Sequence, residues 1–165
     1  LLDHAKPPAD RLLALLLAGL SPEEVAALRQ GDIDPGSGTV RVAGPAARSL
    51  PLPAAVLPLL RGAAAADPAA PAVAGAAGSP LSPEALTQLL QGIAEEAGLS
   101  RPEEVTPEAV RHTYLAHLVR QGLDPAELPR IAGPLPPPVA AAYARLAPRG
   151  RGRTWEEIDA TPPGM

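Results

Sequence analysis

Cysteine and phenylalanine are absent from the 165 residues, and aromatic side chains make up only 2%. Without cysteine the chain can form neither a disulfide framework nor a thiolate metal site. The three histidines, at positions 4, 112 and 117, are too few and too scattered for a metal cage, and we expect no cofactor. No apolar run reaches the ~20 residues that a helix needs to cross a bilayer. The sequence therefore predicts neither metal chemistry nor a membrane span.

Proline and glycine are abundant instead, with 23 and 15 residues, and leucine, alanine and valine supply most of the 46% hydrophobic content. A core of this kind predicts packed helices joined by long loops. The length is that of one typical domain. Because the chain starts at Leu1 without a basic segment, an apolar segment and a cleavage site, we expect a piece of a longer cytoplasmic protein.

Positive charge is scarce, since 14 Lys and Arg residues stand against 18 Asp and Glu residues and the formal net charge is −4. Nucleic-acid-binding domains usually carry a concentrated basic surface. The only such cluster runs over nine positions without an acidic residue and contains Arg145, Arg149, Arg151 and Arg153. These arginines are either a solubilising tail or DNA contacts, and the charge balance predicts that any DNA binding is weak.

Capping residues and glycines divide the chain into elements. Ser21-Pro22-Glu23-Glu24 is a capping box that begins a helix, and Ser82, Thr106 and Asp124 begin others. We predict helices over 9–18, 21–31, 53–61, 82–98, 106–122, 124–133 and 139–147, and a small antiparallel β-sheet from runs at 39–42 and 48–52. An Ala/Pro/Gly-rich loop at 62–80 and an extended connector at 134–138 complete a mainly α domain over 1–147, followed by a flexible tail over 148–165.

Four segments resemble, in order, the catalytic domain of the tyrosine recombinases, the phage integrase family. Residues 18–29 and 32–34, AGLSPEEVAALR and DID, are similar to its first box, A-T-G-L-R-x-x-E-L-x-x-L-x-W-x-D-I-D. Residues 48–52, RSLPL, resemble the end of its hairpin, R-x-V-P-L, and residues 106–118, TPEAVRHTYLAHL, resemble its second box, T-P-H-x-L-R-H-T-F-A-T-H-L. Gly133 stands where the family has L-G-H, and Tyr143 has the spacing of the family's nucleophile. The resemblance covers about residues 9–147 and implies the integrase catalytic-domain fold.

The resemblance also implies six catalytic positions. In the order first Arg, Lys, second-box His, second Arg, third-box His and Tyr, they are Ser21, Ala43, Glu108, Arg111, Pro134 and Tyr143. Family members cleave DNA without a metal: the tyrosine attacks a phosphodiester, which gives a 3'-phosphotyrosyl link and a free 5'-hydroxyl. The arginines hold the charge of the pentavalent phosphate, and the lysine protonates the leaving oxygen. Only Arg111 and Tyr143 keep the family residue, and the single lysine, Lys6, precedes the first box.

Loss of one preorganised donor costs roughly 10²- to 10³-fold in rate, so four substitutions predict almost no catalysis. Glu108 adds a carboxylate that would repel a phosphate by about 1 to 4 kcal/mol at close range. We therefore expect an inactive recombinase-like domain that binds DNA or a protein. Arg48 is a further candidate DNA contact beside the basic cluster, and the segment after Tyr143 is a candidate contact to a second copy or to an active recombinase.

Other interpretations remain open. Ser21 is explained by helix capping alone, Arg111 by an ion pair with Glu108, and Tyr143 by core packing. The two histidines of the second box are expected to be structural hydrogen-bonding groups. Residual DNA cleavage through Tyr143 with help from Arg111 is a second functional hypothesis. A third is an Ala/Leu helical domain of accidental similarity, which a structure without a three-stranded sheet beside the first two boxes would favour.

Overall fold

The computed structural model describes residues 7–61 and 67–163. Its helices are α1 (Ala9–Leu16), α2 (Pro22–Ala27), α3 (Leu57–Arg61), α4 (Pro83–Glu96), α5 (Pro107–Arg120), α6 (Leu128–Ala132) and α7 (Pro137–Ala144). Its strands are β1 (Ile33–Asp34), β2 (Thr39–Val42) and β3 (Arg48–Pro51). The predicted fold class, mainly helical with a small antiparallel sheet, is confirmed.

The sheet has three antiparallel strands in the order β1-β2-β3. Val40 in the central strand lies opposite Ile33 on one side and Leu50 on the other, and all three side chains are buried. Arg41 and Ser49, one position along, face outward. This alternation is what a sheet with one face on the core requires. The hypothesis of accidental similarity, which the absence of such a sheet would have favoured, loses its support.

Helix α1 is the centre of the core. Every residue of α1 except Asp10 is buried, and the helix contacts α2, α3, α4 and α5. Tyr114 on α5 is the largest side chain that is fully buried, and leucines fill most of the remaining space. The prediction of a leucine- and alanine-built helical core is therefore confirmed. Among residues 7–61 and 67–163, no helix has the length and apolar character that crossing a membrane requires.

Helices α2 and α7 differ from their predicted bounds. Helix α2 ends at Ala27 rather than near Gly31, because Leu28 is extended and its carbonyl accepts the Ala72 amide at 2.8 Å. Helix α7 begins at Pro137, inside the stretch predicted to be an extended connector. Proline is tolerated in the first turn of a helix, where its missing N–H has no intrahelical partner to lose.

The predicted loop at 62–80 is ordered where the structure describes it. Residues 62–66 lie outside the described residues, whereas Ala72 and Val73 are 1% and 3% exposed. The amides of Gln30 and Gly31 donate to the carbonyls of Ala70 and Pro68, each at 2.9 Å. The expectation that this tract buries little was wrong for residues 72–73, because backbone hydrogen bonds, rather than large side chains, hold it on the core.

The C-terminal segment also packs on the domain, in contrast to the expected flexible tail. The Arg153 amide donates to the Gly122 carbonyl, and the Asp124 amide donates to the Arg153 carbonyl, both at 2.9 Å. The buried Tyr114 hydroxyl donates to the Ala160 carbonyl at 3.0 Å. Beyond these contacts, the half-buried side chains of Trp155 and Ile158 lie against the core. Residues 151–162 are therefore a structured extension along α5.

Candidate functional site

Arg111 is held inside the protein by main-chain carbonyls. Its Nε donates to the Gly19 carbonyl at 2.8 Å, and one terminal nitrogen donates to the Ala132 carbonyl at 2.7 Å. The residue is 9% exposed, and burial lowers the pKa of its guanidinium against the opposing influence of Glu24. Two of its five N–H donors are thus used to connect the α1–α2 turn with the end of α6.

The close approach around Arg111 requires glycine at position 19. Gly19 has φ +98°, a left-handed conformation that L side chains rarely adopt. A Cβ atom there would lie 2.8 Å from the Cγ2 atom of Ile131. The turn after α1 can therefore approach α6 closely enough for Arg111 to bind both.

Tyr143 is buried and lies against His112. Its hydroxyl is hydrogen-bonded to Nδ1 of His112, and the residue is 5% exposed. Burial raises the pKa of the phenol, while Arg111 acts in the opposite direction. Burial and the neighbouring Arg111 lower the pKa of His112, with Glu108 opposing. The expected structural role of His112 as a hydrogen-bonding group is consistent with this contact.

Ser21 caps α2, as the sequence predicted. Its Oγ accepts the Glu24 amide at 3.3 Å, and the Glu24 carboxylate accepts the Ser21 amide at 2.9 Å. The Ser21 hydroxyl also donates to the carboxylate of Glu23 at 2.8 Å. The hydroxyl is therefore used in local hydrogen bonds, and two carboxylates lie beside it.

Glu24 also forms a bidentate ion pair with Arg48, which sequence reasoning missed. The two terminal nitrogens of Arg48 lie 2.5 and 3.0 Å from the carboxylate oxygens, and its Nε donates to the Ile131 carbonyl at 2.9 Å. Only 10% of the Arg48 side chain is exposed. This placement argues against Arg48 as a DNA contact, since a phosphate would have to displace Glu24. The sequence did contain a feature from which this pair could have been considered. Glu24 is the fourth residue of the capping box and corresponds to the glutamate of R-x-x-E in the family's first box.

The chain brings most of the six family positions to one region. Arg111 donates to the carbonyls of Gly19 and Ala132, which lie two residues before Ser21 and Pro134 respectively. Tyr143 is close to the same region because its hydroxyl is hydrogen-bonded to His112, the neighbour of Arg111 in α5. The hairpin approaches too, because a Cβ on Gly133 would lie 3.6 Å from the Cβ of Ala46. Ala43 is exposed just beyond β2. The alternative explanation of Arg111 by an ion pair with Glu108 does not hold, because Glu108 is exposed on the first turn of α5 and Arg111 donates to two carbonyls instead.

The basic cluster is exposed. Arg145, Arg149, Arg151 and Arg153 all have exposed side chains, and Arg151 lies 3.8 Å from the carboxylate of Glu157. The cluster follows α7 and ends where Arg153 joins the chain after α5. Within residues 7–61 and 67–163, no group of three or more carboxylate or imidazole side chains could hold a metal ion.

Comparison with known proteins places this arrangement in a family. A model of the phage integrase family matches residues 4–147. The chain is 35% identical over 126 residues to the tyrosine recombinase XerC of Rhodospirillum centenum (strain ATCC 51521 / SW), an alignment that covers 70% of this chain and 36% of that protein. The chain belongs to the phage integrase family.

Solved structures share the fold. The XerA recombinase superposes with a TM-score of 0.69 at 18% identity, over 85% of this chain and 57% of that one. The Tn1549 transposon integrase, in complex with a circular intermediate DNA, gives a TM-score of 0.66 at 18% identity, over 86% and 54%. The match confirms the predicted integrase catalytic-domain fold. The chain spans little more than a third of the XerC relative and just over half of these structures.

Proposed function

We propose that this domain takes part in DNA recombination as a non-catalytic DNA- or protein-binding module. The observation that carries the proposal is the use of the two surviving family residues in internal contacts. Arg111 donates to the Gly19 and Ala132 carbonyls, and the Tyr143 hydroxyl is hydrogen-bonded to His112. Because both side chains form hydrogen bonds inside the protein, a role in stabilising the fold accounts for them without a bound substrate.

The surrounding charge supports the same proposal. The family mechanism needs cations around the transferring phosphate, because no metal supplies that charge. Here the carboxylates of Glu23 and Glu24 lie beside Ser21, and Glu24 also neutralises Arg48. Glu108 stands at the position of the second-box histidine. Lys6 cannot serve as the hairpin lysine, since it precedes α1 in the chain. A phosphate in this region would meet more carboxylates than free guanidiniums.

A second candidate function is residual DNA cleavage through Tyr143. It is favoured by one observation, namely that Arg111, His112 and Tyr143 lie in a single cluster. Three of the five donors of Arg111 remain for a ligand, and a neutral His112 could accept the phenolic proton as Tyr143 attacks. This requires Tyr143 to leave its buried position and reach a phosphate.

Covalent trapping separates the two functions. The 165-residue chain is incubated with a randomised pool of nicked suicide duplexes, from which cleavage releases a short 5'-hydroxyl strand and leaves the protein attached. Denaturing gels and mass spectrometry of tyrosine-containing peptides detect the adduct, and an active tyrosine recombinase serves as the positive control. The proposal predicts no adduct. An adduct that persists in Tyr114→Phe and disappears in Tyr143→Phe would establish the second function instead.

A further inference from the structure

Five exposed arginines lie at the end of α5 and in the segment that follows α7. We call this set the arginine ridge: Arg120, Arg145, Arg149, Arg151 and Arg153. Among the described residues, Arg151 is the member of the ridge with a carboxylate within 4 Å, and the other four have none. By contrast, the exposed Arg41, Arg101 and Arg130 each pair with a nearby carboxylate. The exposed Arg29 and Arg61 also have no carboxylate within 4 Å among the described residues, so four of the six unpaired exposed arginines of the described chain belong to the ridge.

The backbone holds the ridge in place alongside α5. Tyr143 fixes the start of the segment at His112, and Arg153 fixes its end through hydrogen bonds to Gly122 and Asp124. His112 and Gly122 are ten residues apart, which corresponds to about 15 Å of helix. The stem of Arg153 lies over Gly122, where a Cβ would come within 3.3 Å of its Cδ. Ligand binding would therefore have to order side chains here but not the main chain.

The chemistry of the ridge fits a polyanion better than a protein surface. Between the arginines lie alanine, proline and glycine residues and the half-buried Leu146. A protein interface normally needs aromatic or large aliphatic anchors in its centre, and the ridge offers none. A DNA duplex presents one phosphate per strand about every 3.4 Å along its axis, so 15 Å of ridge faces about four phosphates.

We infer that the arginine ridge is a DNA-backbone contact surface separate from the region of the six family positions. The inference rests on the proposed binding function and selects DNA as the partner. The Asp124 carboxylate beside Gly152 and the acidic residues at positions 156, 157 and 159 limit the positive surface at the end of the ridge that holds Arg151 and Arg153. Contacts between guanidiniums and phosphates carry no information about the base sequence, so the binding is independent of sequence. Because it is electrostatic, it is also weak and sensitive to salt.

Fluorescence anisotropy with a labelled random-sequence 20-base-pair duplex tests the inference between 50 and 200 mM salt. The double variant Arg145→Gln/Arg149→Gln removes two ridge charges whose side chains form no hydrogen bond or ion pair within the described residues. The matched control, Arg29→Gln/Arg61→Gln, removes two exposed charges elsewhere that also have no carboxylate partner among the described residues. Each phosphate contact contributes about 0.9 to the slope of log affinity against log salt, so the ridge variant should lower that slope by about 1.8. The control should leave it unchanged.

Three results would overturn the inference. They are no binding at 50 mM salt, equal losses in the ridge and control variants, and equal competition by a polyglutamate of the same total charge, which releases fewer counterions than a duplex. Failure of the ridge is distinguishable from failure of the proposed function. Covalent trapping reports on catalysis whatever the ridge binds, and a polyglutamate-competed ridge would point to an acidic protein partner.

Discussion

At the scale of single residues, Arg111 connects two parts of the backbone that are distant in sequence. A guanidinium is planar and carries donors on two sides, so it can connect two carbonyls that face each other across a gap. In this chain those carbonyls belong to Gly19 and Ala132, 113 residues apart in sequence. A buried charge that satisfies backbone acceptors is costly to remove, because the acceptors are left without partners.

Arg111→Ala should therefore destabilise the domain by about 2 to 5 kcal/mol, as expected when buried hydrogen bonds to a charged group and the packing of its stem are both lost. Urea unfolding followed by circular dichroism measures the change. Arg101→Ala removes an exposed arginine and should stay within about 0.5 kcal/mol of the parent. Equal stability of the two variants would mean that Arg111 is not a structural residue.

His112 makes the stability dependent on pH. Burial and Arg111 lower its pKa in the folded chain, so the unfolded chain takes up a proton first as the pH falls. Stability from this group is complete above the ordinary pKa of about 6.5 and decreases as the pH falls below it. His112→Gln should flatten the pH dependence of the unfolding free energy between pH 7.5 and 5.

The carboxyl groups of Asp34 and Asp159 have lowered pKa values, so their contribution to stability is lost only at a pH below that range. They therefore do not mask the effect of His112 between pH 7.5 and 5. An NMR titration of the His112 ring, in buffer and in urea, measures the two pKa values directly. A folded value equal to or above the unfolded one would contradict the assignment.

At the scale of secondary-structure elements, the turn between α1 and α2 has a helix cap at the position that the sequence resemblance assigns to the family's first arginine. Ser21 and Glu24 exchange hydrogen bonds between side chain and backbone. Returning the family residue with Ser21→Arg removes the cap and should cost about 1 kcal/mol of stability. Ser100→Arg, on the exposed surface, is the matched control and should be nearly neutral. A stabilised Ser21→Arg would indicate that the position still favours arginine.

The C-terminal segment provides a second test at this scale. Tyr114→Phe removes the hydroxyl that donates to Ala160 and should cost about 1 kcal/mol. The segment should then detach more often, so trypsin should cleave faster after Arg151 and Arg153. Tyr143→Phe removes the other phenolic hydroxyl of the chain and should leave this cleavage rate unchanged. Unaltered proteolysis of Tyr114→Phe would show that the hydrogen bond does not hold the segment.

The starts of the helices could be predicted from sequence because their signals are local. Ser21, Ser82 and Thr106 each accept the expected backbone amide, and glycines in left-handed conformation follow α4 and α5 at 98 and 122. Strand β1 and the packing of residues 67–74 could not be predicted. They depend on pairing with distant backbone, such as the Ala72 amide with the Leu28 carbonyl, and small side chains give no sign of it.

At the scale of the whole molecule, the fold is that of the phage integrase family. The order and spacing of four motifs were sufficient to predict it. The contacts of the site were not predictable, because they join residues far apart in the chain. The Glu24–Arg48 pair and the His112–Tyr143 contact span 24 and 31 residues, and Arg111 donates to two distant carbonyls rather than to a neighbouring carboxylate. The hydrogen-bond partners of Arg48, Arg111 and Tyr143 are therefore determined by where the fold buries these side chains, and residue type alone does not identify them.

In the proposed function, Arg111 and Tyr143 stabilise the fold and do not bind a phosphate. Orthovanadate adopts five-coordinate geometry and imitates the transferring phosphate. The chemical shift of the Arg111 Nε–H signal, followed by NMR as orthovanadate is added, shows directly whether Arg111 binds such a ligand. We expect no saturable shift of that signal, because the guanidinium is bonded to the Gly19 and Ala132 carbonyls. A saturable shift of Arg111 that Tyr143→Phe weakens would contradict this expectation.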